Sequence, residues 1–321
     1  MKRPIGMLVL ALACMAGVSV QAADKLRVGK AVADSFAFTP VDVGVGVGFW
    51  PKFDIEPEII AFGGAARLQQ ALIAGSVDIA LGAGPSMGLT AKGAPTHAIA
   101  AITGAPKGMS FVVLRDSPIR SLDQLKGLKM GVTSAGSLTD WLTKRISLLK
   151  GWGTEGMTVV AIPGLEATMA ALKTKQIDAA VLATETGLLL EERGEARNVV
   201  NAGDYVTDFH TNVIFSRDAL IASNPELIQR FINGWFTAVA YMKADKAKTI
   251  EFAAKAMNST PTVLARVYDE TMPAMSDTGV FDPKALAVLK PSLVEMGIID
   301  RIPSDEEMFT SRFVPAKVSR P

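Results

Sequence analysis

The chain has 321 residues, with 33 Lys and Arg against 32 Asp and Glu, two histidines and a single cysteine, Cys14. A charge this close to neutral provides no electrostatic footprint for nucleic acid or an anionic membrane surface. Two scattered histidines, His97 and His210, and no thiol beyond Cys14 leave little from which to build a metal cluster, a disulfide or a cysteine nucleophile. The length allows two domains, with enough core that no covalent staple is needed.

The amino terminus reads as an address. Lys2 and Arg3 precede an apolar run from Ile5 to Val20, and Val20-Gln21-Ala22 places small residues at the positions that direct cleavage before Ala23. Residues 1–22 are therefore expected to be a signal peptide, and the mature chain to be periplasmic. Cys14 follows Ala11-Leu12-Ala13, a poor match to a lipidation signal. The run is also interrupted by Gly6, Gly17 and Ser19, which argues against a retained membrane span.

A first strand is expected over Leu26 to Ala31, emptying into the loop Asp34 to Pro40. Residues 61–83 then read as a strand end, a glycine turn at Gly63-Gly64, a helix, and a new strand opening at Val77-Asp78-Ile79. Strands follow at His97 to Thr103 and Ser110 to Arg115, and a short capped helix at Ser121 to Gly127. Leu128 to Thr133 repeats the role of the first strand. Residues 161–183 then echo residues 61–83 one hundred positions later, with Ala71-Leu72 matching Ala171-Leu172, Gly64 matching Gly164 and Asp78 matching Asp178. Two strand-helix-strand units imply two α/β lobes facing across a cleft, since ligands of open α/β sheets sit beyond the carboxyl ends of the strands. The chain returns through Asn212 to Arg217. Helices are then announced by Asn224-Pro225, Thr260-Pro261 and Asp282-Pro283, each an N-cap with proline at the first helical position. The expected division is lobe one at 23–110 plus 216–321 and lobe two at 111–215. The crossings are expected near 111–117 and 210–216, and the closing helices are expected to pack back onto lobe one.

Several of these residues, taken in order, resemble the solute-binding proteins of sulfonate/nitrate/taurine-type ABC importers, within a superfamily that includes thiamine-pyrimidine-related binders. They are the leader, the Asp34 to Pro40 loop, Gly63-Gly64 to Asp78, Gly82-Ala83-Gly84-Pro85-Ser86, Lys126 to Val132, Gly136-Ser137 and Ile177-Asp178-Ala179. The resemblance spans essentially the whole mature chain. It implies a type II periplasmic-binding fold, with two lobes joined by two crossing segments that close over a solute delivered to an inner-membrane permease.

The ligand wall is expected where strands empty into loops. Ser134, Gly136, Ser137 and Thr139 surround the start of a helix whose free N–H groups and positive dipole end suit a carboxylate or sulfonate. From the first lobe come Ser35 and Phe36, then Phe62, Gly63 and Gly64, then Gly84, Pro85 and Ser86. Gly164 is the repeat counterpart of Gly64, and Glu185 and His210 complete the set. Asp34, Lys107, Glu166 and Arg67 are weaker charged candidates. Asp78 and Asp178 sit at the strand end away from the cleft and read as turn residues, His97 as a core residue, and Trp141 as part of a helix's apolar stripe.

The expected function is capture of a small organic anion, of sulfonate or carboxylate type, by hinge closure. A pyrimidine-like or inorganic anion solute and a sensory receptor or kinase as partner are the alternatives. No cofactor, metal or nucleic acid is expected, and the protein is expected to be a monomer. Catalysis is disfavoured because there is no Gly-x-Ser-x-Gly elbow, no His-Glu-x-x-His and no mature cysteine.

Overall fold

The computed structural model describes residues 23–319, so the leader and Cys14 lie outside the described residues. The first half runs β1 (Asp24–Lys30), α1 (Pro40–Val47), β2 (Ile55–Ala61), α2 (Ala65–Ile73), β3 (Ile79–Ala83), α3 (Met87–Ala91) and β4 (Thr96–Thr103). The second runs β5 (Met109–Leu114), β6 (Lys129–Val132), α4 (Leu138–Leu149), β7 (Thr158–Ala161), α5 (Leu165–Lys173), β8 (Ala179–Ala183), α6 (Thr184–Glu192) and β9 (Ala196–Asn201). After β10 (Asn212–Arg217) come only helices: α7 (Asp218–Ser223), α8 (Pro225–Ala244), α9 (Lys246–Met257), α10 (Pro261–Thr271) and α11 (Pro283–Glu295).

The strands form two five-stranded sheets of one pattern, β2-β1-β3-β10-β4 and β7-β6-β8-β5-β9. In each, the repeated unit supplies three parallel strands and a strand from elsewhere adds antiparallel, β10 beside β3 and β5 beside β8. This corrects the expected crossings. Ser110 to Leu114 lie within the second sheet and Asn212 to Arg217 within the first, so the chain passes between lobes at 104–108 and 202–211. The β-branched and aromatic runs that suggested crossing segments are apolar because they are interior strands. A segment that only crosses could leave its backbone polar groups to water, whereas these pair on both sides.

The helix starts follow local chemistry. Asn224, Thr260 and Asp282 each accept a hydrogen bond from the first turn of α8, α10 and α11, at 3.1, 3.2 and 2.9 Å, with proline following in each case. Strand β3 is buried along its whole length, as a strand covered on both faces must be. The main core runs through the first lobe, the closing helices and one face of the second sheet, including Phe111, Met130 and Trp141, with Trp50 stacked on Phe231 at 5.3 Å. A smaller separate cluster around Val112, Leu172, Ile177 and Leu190 fills the opposite face of the second sheet.

The closing helices touch both lobes, not lobe one alone. Trp141 of α4 stacks on Phe209 at 3.9 Å and donates from Nε1 to Ser292 Oγ of α11 at 2.8 Å, and Arg145 pairs with Glu295 at 3.1 Å. On the other flank, Thr260 donates to Glu192 of α6 at 2.9 Å. Trp141 is indeed interior, but its apolar stripe is answered by a segment about 150 residues later, which helical periodicity alone does not reveal.

Candidate functional site

The carboxyl ends of β1, β2, β3, β6, β7 and β8 open onto one cleft of about 370 Å³. The parallel strands of both units point the same way relative to it, so residues at or shortly after their carboxyl ends form the wall. Three helices start there. Gly64, Ser137 and Gly164 are the N-caps of α2, α4 and α5, and all three line the cleft. Gly64 and Gly164 have φ of 153° and 91°, where a side chain is disfavoured, and neither supplies a side-chain cap. First-turn N–H groups of α2 and α5 are consequently left to solvent or ligand, with the positive ends of the helix dipoles behind them. At Ser137 the hydroxyl caps its own helix, accepting from Asp140 N at 3.3 Å, and also meets Thr139 Oγ1 at 3.0 Å.

The rest of the wall is mostly apolar, including Val32, Phe38, Met109, Leu138 and Val181. Asp34 is the only charged side chain among the described lining residues, and Thr186 Oγ1 of the opposite lobe donates to it. Lys30, at the end of β1, is occupied by Asp42 at 2.9 Å. Burial pushes the Asp42 carboxyl above its ordinary range against the pull of that lysine.

Of the residues singled out in the sequence, Ser35, Gly63, Gly64, Ser137, Thr139 and Gly164 line the cleft. Phe36, Phe62, Gly84, Pro85, Ser86, Ser134, Gly136, Glu185 and His210 are not among its lining residues. Phe36 is buried edge-on to Tyr268 at 6.3 Å. Phe62 packs over β1, where a Cβ on Gly29 would come within 3.1 Å of its ring. Gly84 is a packing glycine: a Cβ there would lie 1.9 Å from the carbonyl oxygen of His210. Pro85 and Ser86 are buried as well. Gly136 donates its N–H to Asp140 at 2.7 Å, inside its own loop.

His210 is buried against Gly84. Its Nε2 accepts the Asp282 N–H at 3.0 Å, its ring stands edge-on to Phe281, and burial lowers its pKa to about 4, so it is a neutral packing residue. Glu185 lines a small neighbouring cavity at the lobe seam. Arg67 and Glu166 are exposed, and Lys107 pairs with Asp204 at 2.9 Å. His97 contacts Asp218 and the Glu306 carbonyl. Sequence reasoning missed Phe38, Met109, Thr168, Thr186 and Asn212. Thr168 was within reach, because it stands one helical turn after Gly164 on the same face.

A larger groove of about 980 Å³ is lined by His97, Asp218, Phe281 and Phe309. It lies at the amino end of β4, away from the glycine-capped helices, and therefore lacks the geometry that the strand ends provide.

The family model described as NMT1/THI5 like matches residues 35–248, more than half of the chain. A binding protein of Brucella abortus (strain 2308) is 26% identical over 248 residues, which cover 77% of this chain and 76% of that relative. The ligand-binding component of an ABC-type import system from Staphylococcus aureus superposes with a TM-score of 0.77 at 16% identity, covering 91% of this chain and 99% of that one. The alkanesulfonate-binding protein SsuA from Xanthomonas axonopodis pv. citri, bound to MOPS, gives 0.73 at 19% identity over 92% and 98%. The desulfurization enzyme DszB shares the fold at a TM-score of 0.63 and 16% identity, over 90% and 97%. These likenesses establish the periplasmic-binding-protein fold, with its two mixed sheets and helical carboxyl-terminal region.

Proposed function

This chain belongs to the NMT1/THI5-like family, and we propose that it is the periplasmic solute-binding component of an ABC importer, capturing a small organic anion between its lobes. The observation that carries this reading is the meeting of three helix N-termini, two of them capped only by glycine, in a cleft whose remaining wall is largely apolar. Free N–H groups and dipoles offer a sulfonate or carboxylate its hydrogen bonds without a lysine or arginine, and the apolar wall receives the rest of the molecule. Segments 104–108 and 202–211 would serve as the hinge, and a ligand that contacts both lobes favours the closed arrangement.

Binding is favoured over catalysis because the polar side chains of the wall are serine, threonine, asparagine and one aspartate, with no histidine or cysteine among the described lining residues to activate a nucleophile. Among the described residues no helix is long and apolar enough to cross a membrane. Asp34 supports a second reading. A carboxylate on the wall accepts hydrogen bonds but repels a bare anion, so a ligand that also carries an N–H group, such as a pyrimidine, is the competing class.

The test is thermal unfolding of the chain from Ala23 onward against alkyl sulfonates, aromatic carboxylates, nitrate and pyrimidines. A ligand at a thousand times its Kd adds about 4 kcal/mol, a rise of several degrees. Stabilisation by organic anions with indifference to nitrate supports the proposal. Stabilisation by nitrate alone sinks it, and stabilisation by pyrimidines alone transfers the site to the competing class.

A further inference from the structure

Beside the crossing segments, the seam between the lobes holds a carboxyl group that the ligand site leaves unused. Glu185, the second residue of α6, is 3% exposed. Its Oε1 accepts the backbone N–H of Phe36 from the opposite lobe, and its Oε2 is buried without a hydrogen-bond partner. The next residue, Thr186, donates to Asp34. Two consecutive α6 side chains thus grip one loop, and two residues of that loop, Asp34 and Ser35, form cleft wall. The small cavity that Glu185 lines shares Ser35, Met109 and Asn212 with the cleft, so the carboxyl lies directly behind the ligand site.

We propose that Glu185 is a positioning residue for this site, pinning the Asp34 to Phe36 loop of the first lobe to α6 of the second, and that it acts as a neutral carboxylic acid. The inference rests on the anion-binding reading above. A neutral acid can accept the Phe36 N–H through its carbonyl oxygen without placing a buried negative charge beside the half-buried Asp34. The charged groups that bear on it agree. Burial dominates and pushes the carboxyl up to about 8, the N–H groups of Glu185 itself and Phe36 pull the other way, and Asp34 and Glu270 of α10 add to the rise. Two cations on neighbouring segments are engaged by other carboxylates, Arg266 of α10 by Glu270 and Lys107 by Asp204.

The sign follows from the two ends of the motion. When the lobes part and water reaches Glu185, its pKa falls toward the ordinary 4.5, so the assembled seam binds a proton that the parted one releases. Closure is therefore favoured below that range, weakens as pH rises toward about 8, and is level above it. An ionised Glu185 would also place negative charge behind the anion.

The experiment compares wild type, Glu185→Gln and Glu185→Ala from about pH 6 to about pH 9, by ligand-free thermal unfolding and by calorimetric titration with butanesulfonate, the slope being at most about tenfold per unit. Glutamine keeps the acceptor and cannot ionise. Wild type is expected to lose ligand-free stability and at least about tenfold in affinity as pH rises, Glu185→Gln to lose neither, and Glu185→Ala to bind weakly throughout. Equal pH slopes in wild type and Glu185→Gln overturn the assignment, whether or not Glu185→Ala folds. If butanesulfonate binds at no pH while glutamine still flattens the ligand-free slope, the role of Glu185 at the seam is supported and the anion reading is what falls.

Discussion

At Asp78 and Asp178 the two lobes make the same pair of backbone contacts. Each N–H donates at 2.9 Å to the carbonyl of Arg27 or Lys129, and each carboxylate takes back that residue's N–H, at 3.0 and 2.9 Å. The likeness stops at the side chains. Asp78 also accepts from Arg27 Nε and Nη2, at 2.9 and 2.7 Å, and from Arg217 Nη2 at 3.0 Å, tying the first strand to the returning β10. Asp178 accepts no side-chain donor among the described residues, and Lys129 is exposed. Another matched pair diverges in the same manner: Leu68 is fully buried in the core, while Thr168, one hundred positions later, lines the cleft. A repeated unit therefore fixes the backbone turn twice, and each lobe then assigns the positions to stability or to ligand according to what packs beside them.

That contrast is open to direct attack. Asp78→Ala should cost about 3 kcal/mol in chemical denaturation, because two partly buried arginines lose their partner, whereas Asp178→Ala should cost about 1 kcal/mol. Similar losses at both positions would erase the distinction. Leu68→Ala should also cost about 3 kcal/mol through the cavity it leaves, with ligand affinity little changed in the folded fraction.

An acid limb should report the Asp78 ion pairs directly. Burial would raise the Asp78 carboxyl, but the bonds from Arg27 and Arg217 outweigh it and hold its pKa below the ordinary value. Its contribution is thus present above the unfolded pKa and is lost as pH falls through the folded one. Asp78→Asn should flatten stability against pH on the acid side, and an unchanged acid limb in that variant would refute the ion-pair account.

Gly64→Ala and Gly164→Ala should each cost about 1 kcal/mol, since both positions have φ values that a side chain resists and little nearby to clash with. A stabilising effect at either would mean that the helix start is not held in this conformation. Thr168→Val should cost no more than about 1 kcal/mol in stability, since the hydroxyl gives up its 2.8 Å bond to the Gly164 carbonyl. Its effect should fall on ligand affinity, by severalfold, and unchanged affinity would remove Thr168 from the site.

Much of the frame was legible because the relevant forces act over a few residues. Proline after Asn224, Thr260 and Asp282 marks helix starts because its fixed φ and missing N–H suit only a first turn. Glycines at 64 and 164 mark turns into helices for an equally local reason. The glycine and serine helix starts at 63–64, 137 and 164 were found as cleft residues because the end of a parallel strand dictates where its loop points. The aromatic and charged candidates were less legible. Phe36, Glu185 and His210 share the composition of ligand residues, yet each is held by a partner from a distant segment, Phe36 and Glu185 by one another across 149 positions.

By itself, then, the sequence determined the two α/β units, the loops that end their parallel strands and the capped helices that close the chain, since periodicity, proline and glycine act through the backbone of neighbouring residues. Only the tertiary structure decided that the crossings fall at 104–108 and 202–211, that α10 and α11 brace both lobes, and that Glu185 faces the seam while Thr168 faces the cleft. The physical reason is that burial, desolvation and side-chain direction belong to surfaces brought together from distant parts of the chain, and no local pattern records which surface will arrive.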